Sequence, residues 1–417
     1  MSNKPKVPTN ETVRCNKCGL CLSICPVYGQ ERQESLSPRA KVQLIKHYAE
    51  QDLESSSELR QIVSQCLMCG SCSAGCPSGV NHASLFQHMR SAMVEDFGQG
   101  WQKKALYHFL THEQQMELAA RFAHMGQRAA LDKLFRDFKL GNIPIKSMPR
   151  FNDRPFRETM PAVIEPRGER CGTVLYFTGC ATNYVFGDIG RDVVKVLTRM
   201  GYRVEIPAGQ VCCGLPMALQ GSSAMARKNI LKNIDLFGRN DVMAVITDCA
   251  TCGSAFGSEY VPILKELGED TSRAETLAAK VKDISLFLWE NRSELEPHFA
   301  AKDNLLKVTY HAPCHLRNHQ GVLGEVERLL AILPGVEYLR TPDFDACCGG
   351  GGTFFYDHPE ISKQIVDRKV SNARDSGADL WLTGCPGCQI NLAGNLKDDD
   401  LLQVLHPVQI VAAVLDP

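Results

Sequence analysis

Nineteen cysteines stand in the 417 residues, and eighteen of them fall into two spacing patterns. Between residues 15 and 76 lie two identical runs of the form C-x2-C-x2-C-x3-C-P: Cys15, Cys18, Cys21 and Cys25 before Pro26, then Cys66, Cys69, Cys72 and Cys76 before Pro77. Beyond residue 170 two sets of five follow: Cys180, Cys212, Cys213, Cys249 and Cys252, then Cys314, Cys347, Cys348, Cys385 and Cys388. Their intervals are 32, 1, 36 and 3 in the first set and 33, 1, 37 and 3 in the second, so this half of the chain repeats itself. Clustered thiolates of this kind bind soft metals, and the chemistry they point to is metal ligation and redox work.

The two N-terminal runs have the bacterial two-cluster ferredoxin spacing, in which three thiolates hold one 4Fe-4S cube and the fourth crosses to the other cube. That crossing assigns Cys15, Cys18, Cys21 and Cys76 to one cluster, and Cys66, Cys69, Cys72 and Cys25 to the second. Zinc is the competing ion, but it takes four ligands, commonly as separated C-x2-C pairs rather than an evenly spaced triplet plus one. In the C-terminal repeat, five thiolates converge per module. A zinc ion needs four and a disulfide two, so an iron-sulfur centre larger or less regular than a cube is expected there. Gly214 and Gly349 to Gly352, next to the Cys-Cys pairs, would let backbone approach such a core, whereas a phosphate-cradling loop lacks its Lys-Ser or Lys-Thr.

These ligands need scaffolds. Between the first two runs, RAKVQLIKHYAE and SSELRQIVSQC place apolar residues at helical spacing, which predicts a helical ferredoxin domain over 1–100. A helical segment and linker follow at 101–170, the Pro- and Arg-rich stretch marking a boundary near residue 150. In each repeat, short apolar runs (VLYF and VMAVIT, then KVTYH and DLWLT) alternate with helix-period stretches, so parallel α/β sheets are expected at 171–300 and 301–417. The fold class is therefore α+β multidomain, an all-α ferredoxin domain followed by two homologous α/β cysteine-rich modules, with the thiols outside the carboxyl ends of the strands.

The paired C-x(31 to 32)-CCG-x(about 35)-CxxC pattern resembles the cysteine-rich CCG domain of heterodisulfide reductases. Placed behind a helical two-cluster ferredoxin, it resembles the iron-sulfur subunit of bacterial glycolate oxidases and respiratory lactate dehydrogenases over nearly the whole chain. The resemblance implies two 4Fe-4S clusters in the ferredoxin domain and one or two further 4Fe-4S clusters, of noncubane type, on the two sets of five cysteines. It implies a partner subunit carrying FAD, with electrons passed on to a quinone or other carrier. Two alternatives share the architecture: a heterodisulfide-reductase-like disulfide reductase subunit and the small subunit of anaerobic glycerol-3-phosphate dehydrogenase.

Composition narrows the classes. Forty-six basic residues against 47 acidic ones give a net charge of -1, which argues against a nucleic-acid partner. No apolar run of membrane-spanning length and no signal-peptide core is visible, so a cytoplasmic protein is expected, where thiols stay reduced and disulfides are rare. No dinucleotide-binding GxGxxG, phosphate loop or Ser-His-Asp pattern is found, so the chain should hold no flavin and no catalytic residue of its own. A hydride from a hydroxy acid must then be taken up elsewhere.

Three features are open. Cys171 is left over and is expected to be buried and unreactive. His311, His315 and His319 surround Cys314 at intervals of four; Pro313 interrupts a helical face, and hydrogen bonding near the sulfurs is expected over direct ligation. Leu131, Leu134, Phe135 and Phe138, flanked by Lys133, Arg136 and Lys139, form a strip suited to peripheral association with the inner face of the membrane or to docking a subunit. An ordinary helical pair packed between domains is the simpler expectation for residues 101–140.

Overall fold

The computed structural model describes residues 7–129, 139–140, 143–144, 148–302, 305–397 and 400–416. Residues 9–128 hold helices and turns, and helix starts are written in the sequence. Ser37 caps Pro38–Ala49 by accepting from Ala40 N at 3.1 Å, with Pro38 at the first helical position. Ser56 caps Ser57–Ser64 and Asn81 caps His82–Phe97 in the same way. The inward faces of these three helices supply Val42, Ile45, Leu59, Val63, Leu85, Phe86 and Met89 to one apolar core, each side chain contributing about 1.5–3 kcal/mol by burial.

A two-residue antiparallel pair, β1 (Lys139–Leu140) and β2 (Ile143–Pro144), precedes the sheets. The first sheet comprises β3 (Val163–Ile164), β4 (Gly172–Phe177), β5 (Tyr202–Glu205), β6 (Ala244–Thr247) and β7 (Val281–Asp283), in the order β3-β5-β4-β6-β7. All pairings are parallel except that of β3, which adds an antiparallel edge. The second sheet comprises β8 (Leu306–His311), β9 (Val336–Tyr338), β10 (Leu380–Thr383) and β11 (Gln403–Leu405), in the order β11-β10-β8-β9, wholly parallel. Strands β4 and β6 are buried on both faces, as parallel strands covered by helices must be. The two sheets share one topology, with β8, β9, β10 and β11 in the places of β4, β5, β6 and β7.

The modules face each other about an approximate twofold axis. The helix after β4 (Gly187–Arg199) packs on the helix after β11 (Pro407–Val414), and the helix after β8 (Glu325–Ala331) packs on the helix after β7 (Ile284–Glu290). Each pair is the other with the modules exchanged, the pattern of a self-complementary interface. Both modules feed one continuous apolar core, and Lys195 Nζ donates to Ala412 O at 2.8 Å while Arg199 pairs with Asp416 at 2.7 Å.

The N-terminal helices clamp onto both modules. Val27, Leu36 and Leu67 share an apolar core with Phe354, Ile361 and Ile365 of the second module. Arg90, 5% exposed, donates to Cys66 O at 2.6 Å and Ser64 O at 2.9 Å on its own side, and to Leu219 O of the first module at 2.8 Å. No helix among the described residues is long and apolar enough to cross a membrane.

Candidate metal centres

The two ferredoxin-type runs adopt the same loop. Lys17 and Met68, each just before the second cysteine of its run, have φ of 58° and 53°, and the glycines just after it, Gly19 and Gly70, have φ of 84° and 72°. Left-handed backbone at a non-glycine is costly and persists where surroundings impose it. Here it turns successive thiols to one side. Cys25, Cys66, Cys69 and Cys72 line a single cavity, which gathers the crossed set expected for one cluster. Tyr28 N points at Cys25 Sγ at 3.5 Å and Met68 N at Cys66 Sγ at 3.4 Å, the backbone donors that such sulfurs use. Cys15, Cys18 and Cys21 sit together on the other side, Cys18 exposed, and Cys76 is half-buried against the same core as Cys15.

Buried cations flank the cavity. Lys41, 2% exposed, donates from Nζ to Gln65 O at 2.6 Å. Burial pulls its pKa down, and the nearby Cys66 and Cys25 thiolates push it back up.

In both modules the cysteines stand where the topology predicts. Order β5-β4-β6 makes the gap between β4 and β6 a switch point, where adjacent connections leave in opposite directions and ligands bind. Cys180 follows β4, the pair Cys212–Cys213 follows β5, and Cys249 and Cys252 open the helix after β6. Cys314, Cys347–Cys348, Cys385 and Cys388 occupy the same places in the second sheet. The pairs are held by their carbonyls: Asn229 and Tyr260 donate to Cys212 O at 3.0 Å and Cys213 O at 2.8 Å, and Asn391 to Cys348 O at 2.8 Å.

The ten thiols form one uninterrupted series. Each interacts with the next in the order Cys180, Cys212, Cys213, Cys252, Cys249, Cys385, Cys388, Cys348, Cys347, Cys314. The step between modules is Cys249 to Cys385, equivalent residues meeting at the twofold axis; Ala250 N donates to Gly384 O at 3.0 Å beside them. Beyond Cys314 the next thiol is Cys69 of the ferredoxin-type region. The opposite end, Cys180, is half-buried beside a shallow recess lined by Phe109, Leu110, Arg157 and Tyr184.

Packed this way, the thiols cannot all ionise. Donation from the adjacent thiol holds Cys213, Cys314, Cys348 and Cys385 below the ordinary thiol range, and lifts the donors Cys252, Cys347 and Cys388 above it. Metal ions replace those protons, so the donor set fits a polynuclear thiolate centre, and five sulfurs per module exceed what one zinc takes. His311 supports the same fit: it is fully buried and neither ring nitrogen has a hydrogen-bond partner among the described residues.

The other histidines are engaged elsewhere. His315 Nδ1 lies 3.5 Å from Cys314 Sγ; burial opposes its protonation, but the thiolate prevails and lifts its pKa to about 9. His315 stacks on His319 with centroids 4.7 Å apart, and His319 Nδ1 meets Glu259 of the first module at 2.8 Å. Of the glycines, Gly350 N points at Cys348 Sγ at 3.4 Å, but Gly351 packs on Leu67 and Gly214 on Ala226, so these serve helix and domain contact.

Cys171 is corrected by the structure: it is exposed, not buried. It precedes the buried run of β4 and lies against Gly201, outside the sheet. The strip Leu131, Leu134, Phe135 and Phe138, with Lys133, Arg136 and the side chain of Lys139, lies outside the described residues. Upstream of it, Tyr107 is buried and Leu110 O accepts from Asn229 at 2.9 Å, whereas Leu118, Phe122 and Met125 of the helix Glu113–Arg128 are exposed on one face, which sequence reading did not single out. Asp248 was also missed. It is fully buried, accepts from Tyr176 and Thr182 at 2.7 Å each, and burial pushes its pKa up to about 6.

The pattern described as Cysteine-rich domain matches residues 174–257 and 308–393, and the 4Fe-4S dicluster domain matches 11–80. The chain is 29% identical to the Probable glycolate oxidase iron-sulfur subunit of Bacillus subtilis over 433 residues, 99% of this chain and 95% of that protein. It is 33% identical to Lactate utilization protein A of Halalkalibacterium halodurans, over 57% of this chain and 96% of that protein. It is 24% identical to one subunit of the Dihydromethanophenazine:CoB–CoM heterodisulfide reductase of Methanosarcina barkeri, over 99% of this chain and 96% of that one. Among solved structures, a hypothetical protein from Helicobacter pylori shares the fold, with a TM-score of 0.53 at 11% identity over 95% of this chain and 71% of that one.

Proposed function

Since this chain belongs to the iron-sulfur subunit family that includes Lactate utilization protein A and the glycolate oxidase iron-sulfur subunits, and so is an electron-transfer subunit of an oxidoreductase, we propose how its thiols divide that work. Cys15, Cys18, Cys21 and Cys76 hold one 4Fe-4S cluster, and Cys66, Cys69, Cys72 and Cys25 a second. Cys180, Cys212, Cys213, Cys249 and Cys252 hold a third centre, and Cys314, Cys347, Cys348, Cys385 and Cys388 a fourth. The domains are 1–100, 101–170, 171–300 and 301–417. The partner is a flavoprotein that oxidises a 2-hydroxy acid, lactate or glycolate, on the cytoplasmic side of the membrane, and the acceptor is a quinone or another carrier.

Iron-sulfur clusters supply one-electron steps between a two-electron donor and the acceptor. The protein's part is to hold the centres in series, with the thiols between the two ends shielded from water. The observation that carries the proposal is the unbroken thiol series from Cys180 through Cys249 and Cys385 to Cys314 and on to Cys69. Its ends differ: the recess beside Cys180 is a docking point for the donor, and exposed Cys18 marks the opposite terminus.

The deciding experiment is an iron and acid-labile sulfide count on anaerobically purified protein, followed by EPR during lactate or glycolate oxidation by the flavoprotein. Roughly 16 irons per chain and substrate-dependent reduction are expected; roughly 8 irons would confine electron transfer to the ferredoxin-type region. The match to the heterodisulfide reductase of Methanosarcina barkeri favours a second reading, disulfide cleavage at the Cys180 recess. Disulfide reduction by a chemical reductant without any flavoprotein would select it.

A further inference from the structure

The two modules repeat each other's cysteines but not what surrounds them. His311 ends β8 three residues before Cys314 and pairs with Thr383; Phe177 ends β4 three residues before Cys180 and pairs with Thr247. The two positions are therefore equivalent in the fold. Phe177 is enclosed by Phe256 and Phe237, with ring centroids at 4.5 and 5.4 Å. His311, equally buried, points its ring at sulfur: its nitrogen and the Sγ atoms of Cys348 and Cys388 all lie within 4.8 Å of one another, and those two sulfurs are 3.3 Å apart.

A neutral imidazole carries one N–H and one acceptor nitrogen, and leaving either unpaired in the interior costs about 1–3 kcal/mol. Neither nitrogen finds a partner among the described residues. Two further matched positions change in the same sense. Immediately after the first cysteine stands His315 in the second module and Ala181 in the first. Twenty-one residues after the Cys-Cys pair stands Lys369 in the second and Ile234 in the first. Lys369 is 3% exposed, beside Cys347 and Cys348, with Nζ on Asp343 O at 2.5 Å.

We propose that His311 donates an N–H hydrogen bond to a sulfur of the second module's centre and makes that centre the more easily reduced of the two. The inference rests on the reading that both modules carry iron-sulfur centres. One-electron reduction adds one negative charge, spread largely over the sulfurs, and a fixed donor stabilises it; no proton is transferred. Hydrogen bonds to cluster sulfurs are among the levers that set potential, and the phenyl ring of Phe177 offers none. Histidine is thus a positioning and tuning residue in one module only.

The test is an EPR-monitored redox titration of the full chain, anaerobically purified, with iron counted on the same samples. His311→Phe installs the residue that the same fold accommodates in the first module. It is expected to move one midpoint potential downward, abolish any weak nitrogen coupling in pulsed EPR, and retain the iron. His311→Gln, which keeps an N–H donor, should restore part of the shift. Full iron with unchanged midpoints in His311→Phe overturns the proposal alone, as does selective loss of iron, which would make His311 a ligand. An iron count near 8 in the parent protein overturns the cluster reading, and the proposal with it.

Discussion

The side-chain amide of Asn318, in the second module, donates to the main-chain carbonyl of Cys69 at 2.8 Å and to Ser71 Oγ at 3.1 Å. One side chain thereby fixes the loop that carries a ferredoxin-type thiol against the turn that follows Cys314. Replacing Asn318 with Ala removes both donors from a half-buried seam, and a loss of about 1 kcal/mol of stability is expected. Denaturant midpoints measure that loss, and rapid-freeze EPR should show slower equilibration between the ferredoxin-type clusters and the modules. Unchanged equilibration in a destabilised variant would mean that Asn318 serves folding only.

Gly70 forms the other half of this seam. Its φ is 72°, and a Cβ there would lie 2.5 Å from His319 Nε2 and 3.3 Å from Asn318 Cβ. Gly79 has φ of 64° with open space around it. Gly79→Ala should therefore cost only the left-handed backbone penalty, about 1–2 kcal/mol, while Gly70→Ala costs more because the turn must also move. Equal losses in thermal denaturation would show that the loop and the turn yield freely.

Lys41 has no carboxylate partner among the described residues, and its charge faces Cys66, Cys25 and Cys72 from inside the protein. A buried cation favours the more negative, reduced form of a neighbouring cluster. Lys41→Met should lower the midpoint potential of the cluster assigned to Cys66, Cys69, Cys72 and Cys25, and Lys41→Arg should retain most of it. A redox titration in which Met and Lys variants coincide would exclude this role.

Asp283, the last residue of β7, and His406, the residue after β11, each cap the next helix: Asp283 Oδ1 accepts from Ser285 N at 2.8 Å, and His406 Nδ1 from Val408 N at 3.1 Å. Burial pushes the Asp283 pKa up to about 7 and pulls that of His406 down to about 4. The folded state thus holds the Asp283 proton more tightly than the unfolded chain, where carboxyls titrate near about 4. Its contribution is full at low pH and is lost as pH rises from about 4 to about 7. His406 works in the opposite sense: its contribution is full above about 6.5 and is lost as pH falls towards about 4. Asp283→Asn keeps the capping oxygen and removes the titration, so its stability relative to the parent should climb across pH 4 to 7 in urea denaturation. A flat difference would mean that Asp283 is ionised throughout.

The cysteine sets were legible because ligand spacing is local, and the strands β4, β6, β8 and β10 because their apolar runs are long enough to stand out. Strands β5, β7, β9 and β11 escaped notice: YRVE, VKD, VEY and QVL are three or four residues with charged or polar members, held by their neighbours rather than by their own pattern. Cys171 was misjudged since proximity to a buried strand does not bury the residue before it. The three histidines around Cys314 looked alike in sequence, yet the end of β8, Pro313 and one turn of helix send them to the Cys348 and Cys388 sulfurs, to the Cys314 thiol and to Glu259 respectively. The meeting of Cys249 and Cys385, 136 positions apart, belongs to the pseudo-twofold packing and has no local signal.

The helix Pro407–Val414 is also the lid over Gly187–Arg199, whose Val193, Val196 and Leu197 are fully covered in the folded chain. A ribosome makes the covered helix about 220 residues before its cover, at about 5–20 residues per second. For roughly ten seconds or more of synthesis the first module presents this apolar helix face without its cover. That exposure ends only when residues 407–414 have been made, so the core of the first module is completed by a segment of the second.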